Sequence, residues 1–277
     1  MHKKLIALGL AVVLALGVAL ALFVKNTGTT TPKLLVLMYH HLTKDPDKVN
    51  PYTILTDDFQ TDLEYLKSQG YHTVTPSQFL ACKEQNVPLP ERPVMITFDD
   101  GYESVYAYAY PLLKQYQMTA CVAIVGEYTN LYTQANDHNL NYSYMTWSEV
   151  AELQESGVIE IASHSNHLHI ENEERRGCQI NPSESLETYR SVLQNDLGSL
   201  QNQIQHHTGT CPVAFAYPFG LYCQESYDAL VSLGFRIAFT CEERWNPIPD
   251  RLGPLFLLGR FNRSGGVPTN LYFQRIF

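Results

Sequence analysis

The chain has 277 residues, 45% of them hydrophobic and 12% aromatic, which is enough apolar material for a full core and excludes the disordered, collagen-like and coiled-coil classes. Lys and Arg total 19 against 28 Asp and Glu, a net charge of −9 without any basic run, so a nucleic-acid partner is not expected. The 6 cysteines include no CxxC pair and indicate neither a disulfide framework nor a thiolate zinc site.

The first predicted element is an uncharged apolar stretch from Leu5 to Val24. As a helix that rises about 1.5 Å per residue, it is long enough to cross a bilayer core about 30 Å thick. A cleaved signal peptide is the competing interpretation, but the apolar part of such a leader usually runs about 7 to 15 residues. The only small-x-small candidate, Ala19 to Ala21, lies inside the apolar run, so we expect an uncleaved anchor.

This expectation divides the chain into a membrane anchor over residues 1–25, a short polar tether over 26–33 and one working domain over 34–277. Lys3 and Lys4 precede the apolar stretch, and basic residues prefer the cytoplasmic side of a membrane. We therefore expect the working domain on the extracytoplasmic face of the membrane, or secreted if the leader is cut.

From residue 34 onward, short apolar runs typical of buried strands alternate with longer amphipathic runs typical of helices. Strands are predicted over residues 34–39, 72–75, 94–98, 120–125, 158–163, 213–217, 236–240 and 255–261. Helices are predicted over residues 57–69, 104–115, 185–206 and 224–233, with another that begins at the capping box Thr146 to Glu149 and ends before Gly157. Cys121 and Cys241 fall in apolar strand-like runs, where we expect them to be buried.

This alternation predicts an α/β fold with mostly parallel strands. About seven strands with their helices would close into a distorted parallel (β/α) barrel, which leaves no exposed sheet edge. A doubly wound open sheet fits the same order of elements and is the alternative. In both architectures functional groups lie at the carboxyl ends of the strands, so candidate site residues are sought there.

Two adjacent carboxylates, Asp99 and Asp100, follow the predicted strand over 94–98, and Gly101 comes next. A turn is the competing interpretation, since Asp-Asp-Gly is good turn chemistry. However, neighbouring carboxylates at the end of an apolar strand repel each other and lose solvation, which a packing role does not require. The pair is therefore a candidate functional site.

Three histidines, His164, His167 and His169, follow the predicted strand over 158–163. His167 and His169 share a face if the backbone is extended, whereas the direction of His164 depends on the turn. Imidazole and carboxylate ligands together suit Zn, Co, Ni or Fe. The two strand ends together predict a site for a divalent metal.

Two other strand ends carry further candidates. Tyr217 to Gly220 (YPFG) ends the strand over 213–217 in a tight turn that could direct a backbone N–H into the cleft. His40 and His41 follow the first strand. Four strand ends thus contribute groups that bind metals or transfer protons.

Three of these segments together resemble a known family. Thr97 to Gly101 (TFDDG), Ser163 to Ser165 (SHS) with a histidine downstream, and YPFG are similar to motifs of the polysaccharide deacetylases, carbohydrate esterase family 4 with its nodulation-protein-B-like domain. The similarity spans residues 34 to 262, and the pairing of TFDDG with the histidine motif is its specific part. The resemblance implies a metal-dependent hydrolase that removes N-acetyl groups from a polysaccharide.

The resemblance also implies roles for individual residues. Asp99 corresponds to the catalytic base and Asp100 to the carboxylate ligand of the metal. His164 corresponds to the first histidine ligand, and Phe219 to the residue whose backbone N–H contributes to an oxyanion hole. The expected cofactor is Zn²⁺, with Co²⁺ or Ni²⁺ as alternatives.

The second histidine ligand distinguishes branches of the family. The commoner spacing, four residues after the first histidine, falls on Leu168 in this chain. In the branch that deacetylates poly-β-1,6-N-acetylglucosamine the histidine comes five residues on, usually after a leucine, and His169 fits that form. His167 is the rival ligand.

The chain departs from the common pattern at two places. Many members carry an arginine in the third motif to orient the base, where this chain has Ala216, and a C-terminal Leu-His pair that supplies the general acid, where it has Leu257 to Gly259. The poly-N-acetylglucosamine branch also lacks both features and places its acid on a histidine near the first strand. His40 is therefore the candidate acid, with a pKa raised by a neighbouring carboxylate, and His41 is the alternative.

The expected substrate is an extracellular or cell-wall N-acetylglucosamine polymer of the poly-β-1,6 type. Peptidoglycan N-deacetylation and acetyl-xylan O-deacetylation are alternatives with the same site, and the two departures motivate a further one, an inactive anchored glycan-binding module. The Tyr- and Asn-rich stretch from Tyr128 to Tyr144 is expected to be a loop that either binds the substrate or is simply solvated.

Overall fold

The computed structural model describes residues 32–85, 87–173, 175–248 and 251–277. The predicted anchor over 1–25 lies outside the described residues, as does most of the tether, so both stay predictions. Within the described ranges, no helix has both the length and the apolar composition that crossing a bilayer requires.

The main sheet follows the predicted apolar runs closely. It contains β1 (Lys33–Tyr39), β4 (His72–Thr73), β5 (Pro93–Phe98), β6 (Ala120–Ile124), β7 (Ile159–Ser163), β8 (Ala214–Ala216), β9 (Ile237–Phe239), β10 (Asn246–Pro247), β11 (Phe256–Leu258) and β12 (Phe261–Asn262). A separate parallel pair, β2 (His41–Thr43) and β3 (Thr53–Leu55), continues from the end of β1.

The sheet is parallel and nearly closed. Its strands follow the order β1-β5-β6-β7-β8-β9-β11, and β10 adds an antiparallel strand beside β1. β11 pairs with β9 at one end, while β12, only a few residues later, pairs with β1 at the other. The predicted strand over 255–261 is therefore two strands, because the chain crosses at Gly259 and Arg260 from one end of the sheet to the other.

Helices connect the strands. They are α1 (Thr56–Ser68), α2 (Pro76–Glu84), α3 (Tyr110–Tyr116), α4 (Gly126–Ala135), α5 (Trp147–Glu155), α6 (Leu186–Thr208), α7 (Gln224–Ser232) and α8 (Thr269–Ile276). α3 continues a π-helical turn, Val105–Ala109, so the predicted helix over 104–115 is present but begins irregularly. α2 and α8 were not predicted, and α4 occupies half of the stretch that was expected to be a loop.

Local sequence explains two of the helix starts. At α5, the predicted capping box is confirmed: the Thr146 side chain accepts from the Glu149 N–H, and the Glu149 side chain accepts from the Thr146 N–H. Thr75 and Gln78 form the same reciprocal cap at α2, where Pro76 occupies a first-turn position that needs no N–H donor. The local sequence thus specifies where both helices begin before any packing is considered.

The core lies on both faces of the sheet. Along β1, Leu35 and Leu37 pack toward the helices, whereas Leu34 and Val36 belong to the cluster inside the barrel. That inner cluster includes the small residues Ala123, Ala162 and Ala216, which leave space near the carboxyl ends of their strands. Larger side chains from elsewhere can therefore enter the barrel there.

Candidate active site

The carboxyl ends of the parallel strands open into a cavity of about 610 Å³, a volume suited to a small ligand or part of a polymer. Its walls combine the predicted site residues with rings, carboxylates and one cysteine: Met38, His40, Tyr52, Asp99, Asp100, Tyr102, His164, His169, Glu171, Phe219, Cys241, Glu243 and Asn262. Strand ends far apart in the sequence thus contribute to one space.

Asp100, His164 and His169 converge in this cavity. Oδ1 of Asp100 lies 3.5 Å from Nε2 of His164 and 3.2 Å from Nε2 of His169. One potential ligand atom from each residue lies within 4.8 Å of the others. The three side chains follow the strands β5 and β7, which lie on either side of β6 in the sheet and so bring them together.

Hydrogen bonds at the far side of each imidazole orient the two histidines. Nδ1 of His164, which is almost fully buried, lies 2.8 Å from the Ala216 carbonyl oxygen. A carbonyl can only accept, so the proton is at Nδ1 and Nε2 faces Asp100. Nδ1 of His169 lies 3.5 Å from the Tyr128 hydroxyl, and its ring contacts Phe219 at a centroid distance of 4.6 Å.

The structure places His167, the rival ligand, away from the cavity. Its side chain is exposed and its Nδ1 lies 3.2 Å from a carboxylate oxygen of Glu127. Its backbone N–H donates to Asp196. Of the two histidines that spacing left open, His169 is the one beside Asp100.

These contacts fit a divalent cation. In its neutral form His164 presents a lone pair at Nε2, because its proton is on Nδ1, and this lone pair faces a carboxylate oxygen of Asp100. Two such lone pairs repel each other unless a proton or a cation lies between them. A carboxylate and two imidazoles are a common donor set for divalent transition metals.

Arg260 is a functional residue that the sequence motifs do not indicate. Its Nη1 and Nη2 each lie 2.7 Å from a different carboxylate oxygen of Asp99, and both side chains are buried. Arg260 thus supplies from the crossing between β11 and β12 the orienting contact that Ala216 cannot make. The sequence offers one indication of its role, because Arg260 is the charged residue in the otherwise apolar predicted strand over 255–261.

The absence of the family's C-terminal Leu-His pair, where this chain has Leu257 to Gly259, has a steric cause. A Cβ placed on Gly259 would overlap the Glu242 carbonyl and the Arg244 side chain. No side chain fits at this position, so the general acid cannot come from it.

The charges around Asp99 and Asp100 keep both carboxylates ionised. Burial by itself raises the pKa of Asp99, but the charge and hydrogen bonds of Arg260, together with the nearby His164 and His40, outweigh burial and hold that pKa below its ordinary value. Burial also raises the pKa of Asp100, but the nearby ring nitrogens of His164 and His169, when protonated, hydrogen-bond to its carboxylate and hold that pKa far below its usual range. Two adjacent carboxylates can therefore both carry charge at neutral pH.

His40 lines the cavity, whereas His41 does not. Burial lowers the pKa of His40 and outweighs the opposite effect of Asp99 and Asp100, so the expectation of a raised pKa is wrong. His41 is buried in a separate place, where its Nδ1 lies 2.9 Å from the Ser104 hydroxyl. The structure thus separates the two candidate acids by position.

Three non-glycine residues at the strand ends have left-handed backbones. The φ angles are 70° at Asp100, 73° at Ser165 and 59° at Phe219. This conformation costs an L-residue roughly 1–2 kcal/mol, so the surrounding fold must hold it in place. It directs Asp100 toward the histidines, and it puts Phe219 in the cavity wall.

Aromatic rings surround the cavity. Tyr52 contacts the His40 ring edge-on at 5.0 Å, and Tyr102 stacks on Tyr144 at 4.5 Å. Cys241 is exposed here, contrary to the expectation that it would be buried, because β9 ends at Phe239. Cys121 is buried as expected, and all 6 cysteines are free.

A family model described as polysaccharide deacetylase matches residues 86–238, more than half of the 277-residue chain. The chain belongs to this family. The resemblance given by the TFDDG and histidine motifs is confirmed, as is the prediction of a hydrolase. The nearly closed parallel sheet is the nodulation-protein-B-like fold of these deacetylases.

Two curated relatives share a more specific name. A protein from Staphylococcus epidermidis, named poly-β-1,6-N-acetyl-D-glucosamine N-deacetylase, is 28% identical over 222 residues, which cover 76% of this chain and 73% of the relative. A protein of the same name from Staphylococcus aureus strain N315 is 25% identical over 265 residues, covering 88% and 87%.

Solved structures agree with the fold. A de-N-acetylase from Aggregatibacter actinomycetemcomitans superimposes with a TM-score of 0.72 at 27% identity, covering 84% of this chain and 95% of the other. IcaB from Ammonifex degensii shares the fold with a TM-score of 0.71 at 24% identity, covering 88% and 95%. The deacetylase fold thus extends over nearly the whole of both structures.

Proposed function

We propose that this deacetylase is a metal-dependent N-deacetylase of an extracellular or cell-wall N-acetylglucosamine polymer of the poly-β-1,6 type. The observation that carries the proposal is the convergence of Asp100, His164 and His169 beside the buried Asp99 in one cavity. The names of the staphylococcal relatives support the substrate class.

Asp100, His164 and His169 would hold the cation, with Zn²⁺ as the first choice and Co²⁺ or Ni²⁺ as alternatives. Bound there, such an ion would act as a Lewis acid that polarises the acetyl carbonyl and lowers the pKa of a bound water toward about 7. In neutral His164, the hydrogen bond to the Ala216 carbonyl keeps the proton on Nδ1, so that the lone pair of Nε2 faces Asp100.

Asp99 is the proposed general base. Its carboxylate takes a proton from the attacking water, while Arg260 holds both oxygens in a fixed plane. The low pKa of Asp99 means that the base is already ionised when substrate arrives. A glycan-binding module without activity has no use for a buried base held in this way.

His40 is the proposed general acid for the departing amine. A histidine with a lowered pKa is less often protonated at neutral pH, but its imidazolium is the stronger acid. Phe219, in its left-handed turn at the cavity wall, is the proposed source of a backbone N–H for the oxyanion.

Two exposed rings suit a carbohydrate. Tyr52 is 59% exposed and Phe219 41% exposed, and both line the cavity. Aromatic faces pack against the apolar faces of pyranose rings while polar groups around them fix orientation. We infer that successive sugar units of a polymer bind across this cavity.

The proposed location rests on the sequence alone. The apolar stretch over 5–24 would anchor the chain, and the domain over 34–277 would face the extracytoplasmic side, where such polymers lie. Protease treatment of intact cells tests this: digestion of the domain is expected, and protection until the cells are opened would contradict it.

Acetate release from three substrates tests the function. Purified protein is assayed on partially acetylated β-1,6-glucosamine polymer, peptidoglycan and acetyl-xylan, before and after chelation. We expect release from the first substrate, loss on chelation and recovery with Zn²⁺. Release from only one of the other two would move the substrate assignment, and saturable binding without release under any divalent ion would favour the glycan-binding module.

A further inference from the structure

A second group of metal-ligating side chains lies outside the site described above. Glu103, His138 and Glu149 each offer one ligand atom, and these atoms lie within 4.8 Å of one another. We call them the Glu103 cluster. Glu103 follows the turn after β5, His138 lies in the loop after α4, and Glu149 is in the first turn of α5.

One oxygen of the Glu103 cluster is buried without a partner. Glu103 is only 4% exposed, and its Oε1 lies 2.7 Å from Nδ1 of His138. Its Oε2 is buried and has no hydrogen-bond partner among the described residues. A buried oxygen without a hydrogen bond lowers the stability of the fold. Because Oε2 belongs to the same carboxylate as Oε1, it lies next to His138.

The charges in the cluster are also unbalanced. Glu149 uses Oε2 to accept from the N–H and hydroxyl of Thr146, at 2.7 and 2.9 Å, and its other oxygen takes no part in that cap. In the described part of the chain, no Lys or Arg forms an ion pair with Glu103 or Glu149, and His138 is the only basic partner of Glu103. Two carboxylates and one imidazole favour a divalent cation between them.

We propose that Glu103, His138 and Glu149 form a second divalent-cation site, structural rather than catalytic, which takes a transition-metal ion such as Zn²⁺ or Mn²⁺. The imidazole in the donor set distinguishes it from an all-oxygen calcium site. His138 is 48% exposed in its side chain, so the ion can enter from solvent.

The position of the cluster indicates what the ion does. The Glu103 N–H donates to the Ser143 carbonyl at 2.8 Å, and the next residue, Tyr144, stacks on Tyr102 in the cavity wall. A cation shared by Glu103, His138 and Glu149 joins the loop that carries Tyr144 to the segment that follows Asp100. The ion thereby fixes the tyrosine wall of the active-site cavity.

Metal stoichiometry tests the proposal. The full chain in detergent is stripped with chelator and titrated separately with Zn²⁺ and with Mn²⁺ by calorimetry, and bound metal is counted after dialysis. We expect two equivalents of one of these ions in the wild type and one in His138→Gln. Glu149→Gln should also bind one, although glutamine at this position keeps the capping box and hence the helix. His72→Gln, a change at an exposed histidine on β4, should bind two.

The active-site ligand is removed separately to keep the two sites apart. His164→Gln should retain one equivalent, and the double variant His138→Gln with His164→Gln should bind none. One equivalent in the wild type and none in His164→Gln would overturn the proposal and leave His138 as a simple imidazolium partner of Glu103. Unchanged stoichiometry in a folded His138→Gln protein, checked by circular dichroism, would overturn it equally.

Discussion

Arg260 and Asp99 are 161 positions apart in the sequence, yet their side chains form a buried pair with two contacts of 2.7 Å. Arg260 lies at the crossing between β11 and β12, where the chain passes from one end of the nearly closed sheet to the other. The orientation of the proposed base therefore depends on closure of the barrel.

Arg260→Lys should lower kcat about 100-fold, because a single ammonium cannot hold both oxygens of Asp99 in one plane. Arg260 lowers the pKa of Asp99, so weakening the contact should raise that pKa and move the acid limb of the pH–rate profile to higher pH. Acetate release measured from pH 4 to pH 8 checks both effects. Arg263→Lys is the matched control, since Arg263 forms a similar buried pair with Asp62 away from the cavity. It should lose stability but keep the acid limb, and equal shifts in both variants would contradict a positioning role for Arg260.

Asp100→Asn and His169→Gln should each abolish high-affinity metal binding at the catalytic site and most of the acetate release. His167→Gln should do neither, because His167 faces Glu127 and solvent. Metal content and turnover are measured on the same preparations, with His138→Gln introduced alongside to remove the second proposed site. Retention of metal and activity by Asp100→Asn would refute the proposed ligand set. Loss of both in His167→Gln would make His167, not His169, the second histidine ligand.

His40→Gln should lower kcat about 100- to 10,000-fold, the usual range for loss of a general acid. His41→Asn should change the rate no more than a few-fold, since His41 is buried against Ser104 and outside the cavity wall. Steady-state rates on a substrate with a poor amine leaving group check this. The opposite pattern would transfer the acid role to His41.

His41 should make the fold less stable in acid. Burial, followed by the charge of Lys48, lowers its pKa to about 4, whereas an unfolded histidine has a pKa of about 6.5. Between these values the unfolded chain binds a proton that the folded chain does not, so the free energy of unfolding falls as pH decreases. The contribution is at most on the order of 3 kcal/mol.

Urea unfolding at pH 7 and pH 5 measures this effect. His41→Asn can keep an acceptor for Ser104 and cannot titrate in this range, so it should lose less stability between the two pH values than the wild type. Identical pH dependence in both proteins would show that His41 titrates normally in the folded state.

The strand ends were predictable because they depend on local pattern. Apolar runs mark β5 and β7, and the residues that follow them had to lie at one edge of a parallel sheet, which placed Asp100 and His164 near each other. The choice between His167 and His169 depended on a turn that residue spacing does not specify. The family motif favours His169, and the structure places His169 in the cavity wall.

Arg260 and α4 were not predictable, because both depend on contacts distant in sequence. Arg260 reaches Asp99 only once the sheet closes. The first turn of α4 is fixed by backbone bonds from Gly126 to Ser165 and from Glu127 to Asn166, which the polar composition of the segment does not indicate. Tertiary contacts thus override a sequence that reads as a loop.

The left-handed residues at the strand ends have a consequence for protein engineering. Asn or Gly at Asp100, Ser165 or Phe219 would relax the backbone, so a screen for heat tolerance alone should enrich such replacements. Such a screen would also enrich replacements of Asp100, and these more stable variants would lack the proposed metal ligand and therefore be inactive. Laboratory evolution of this enzyme therefore needs turnover as a second criterion in every round.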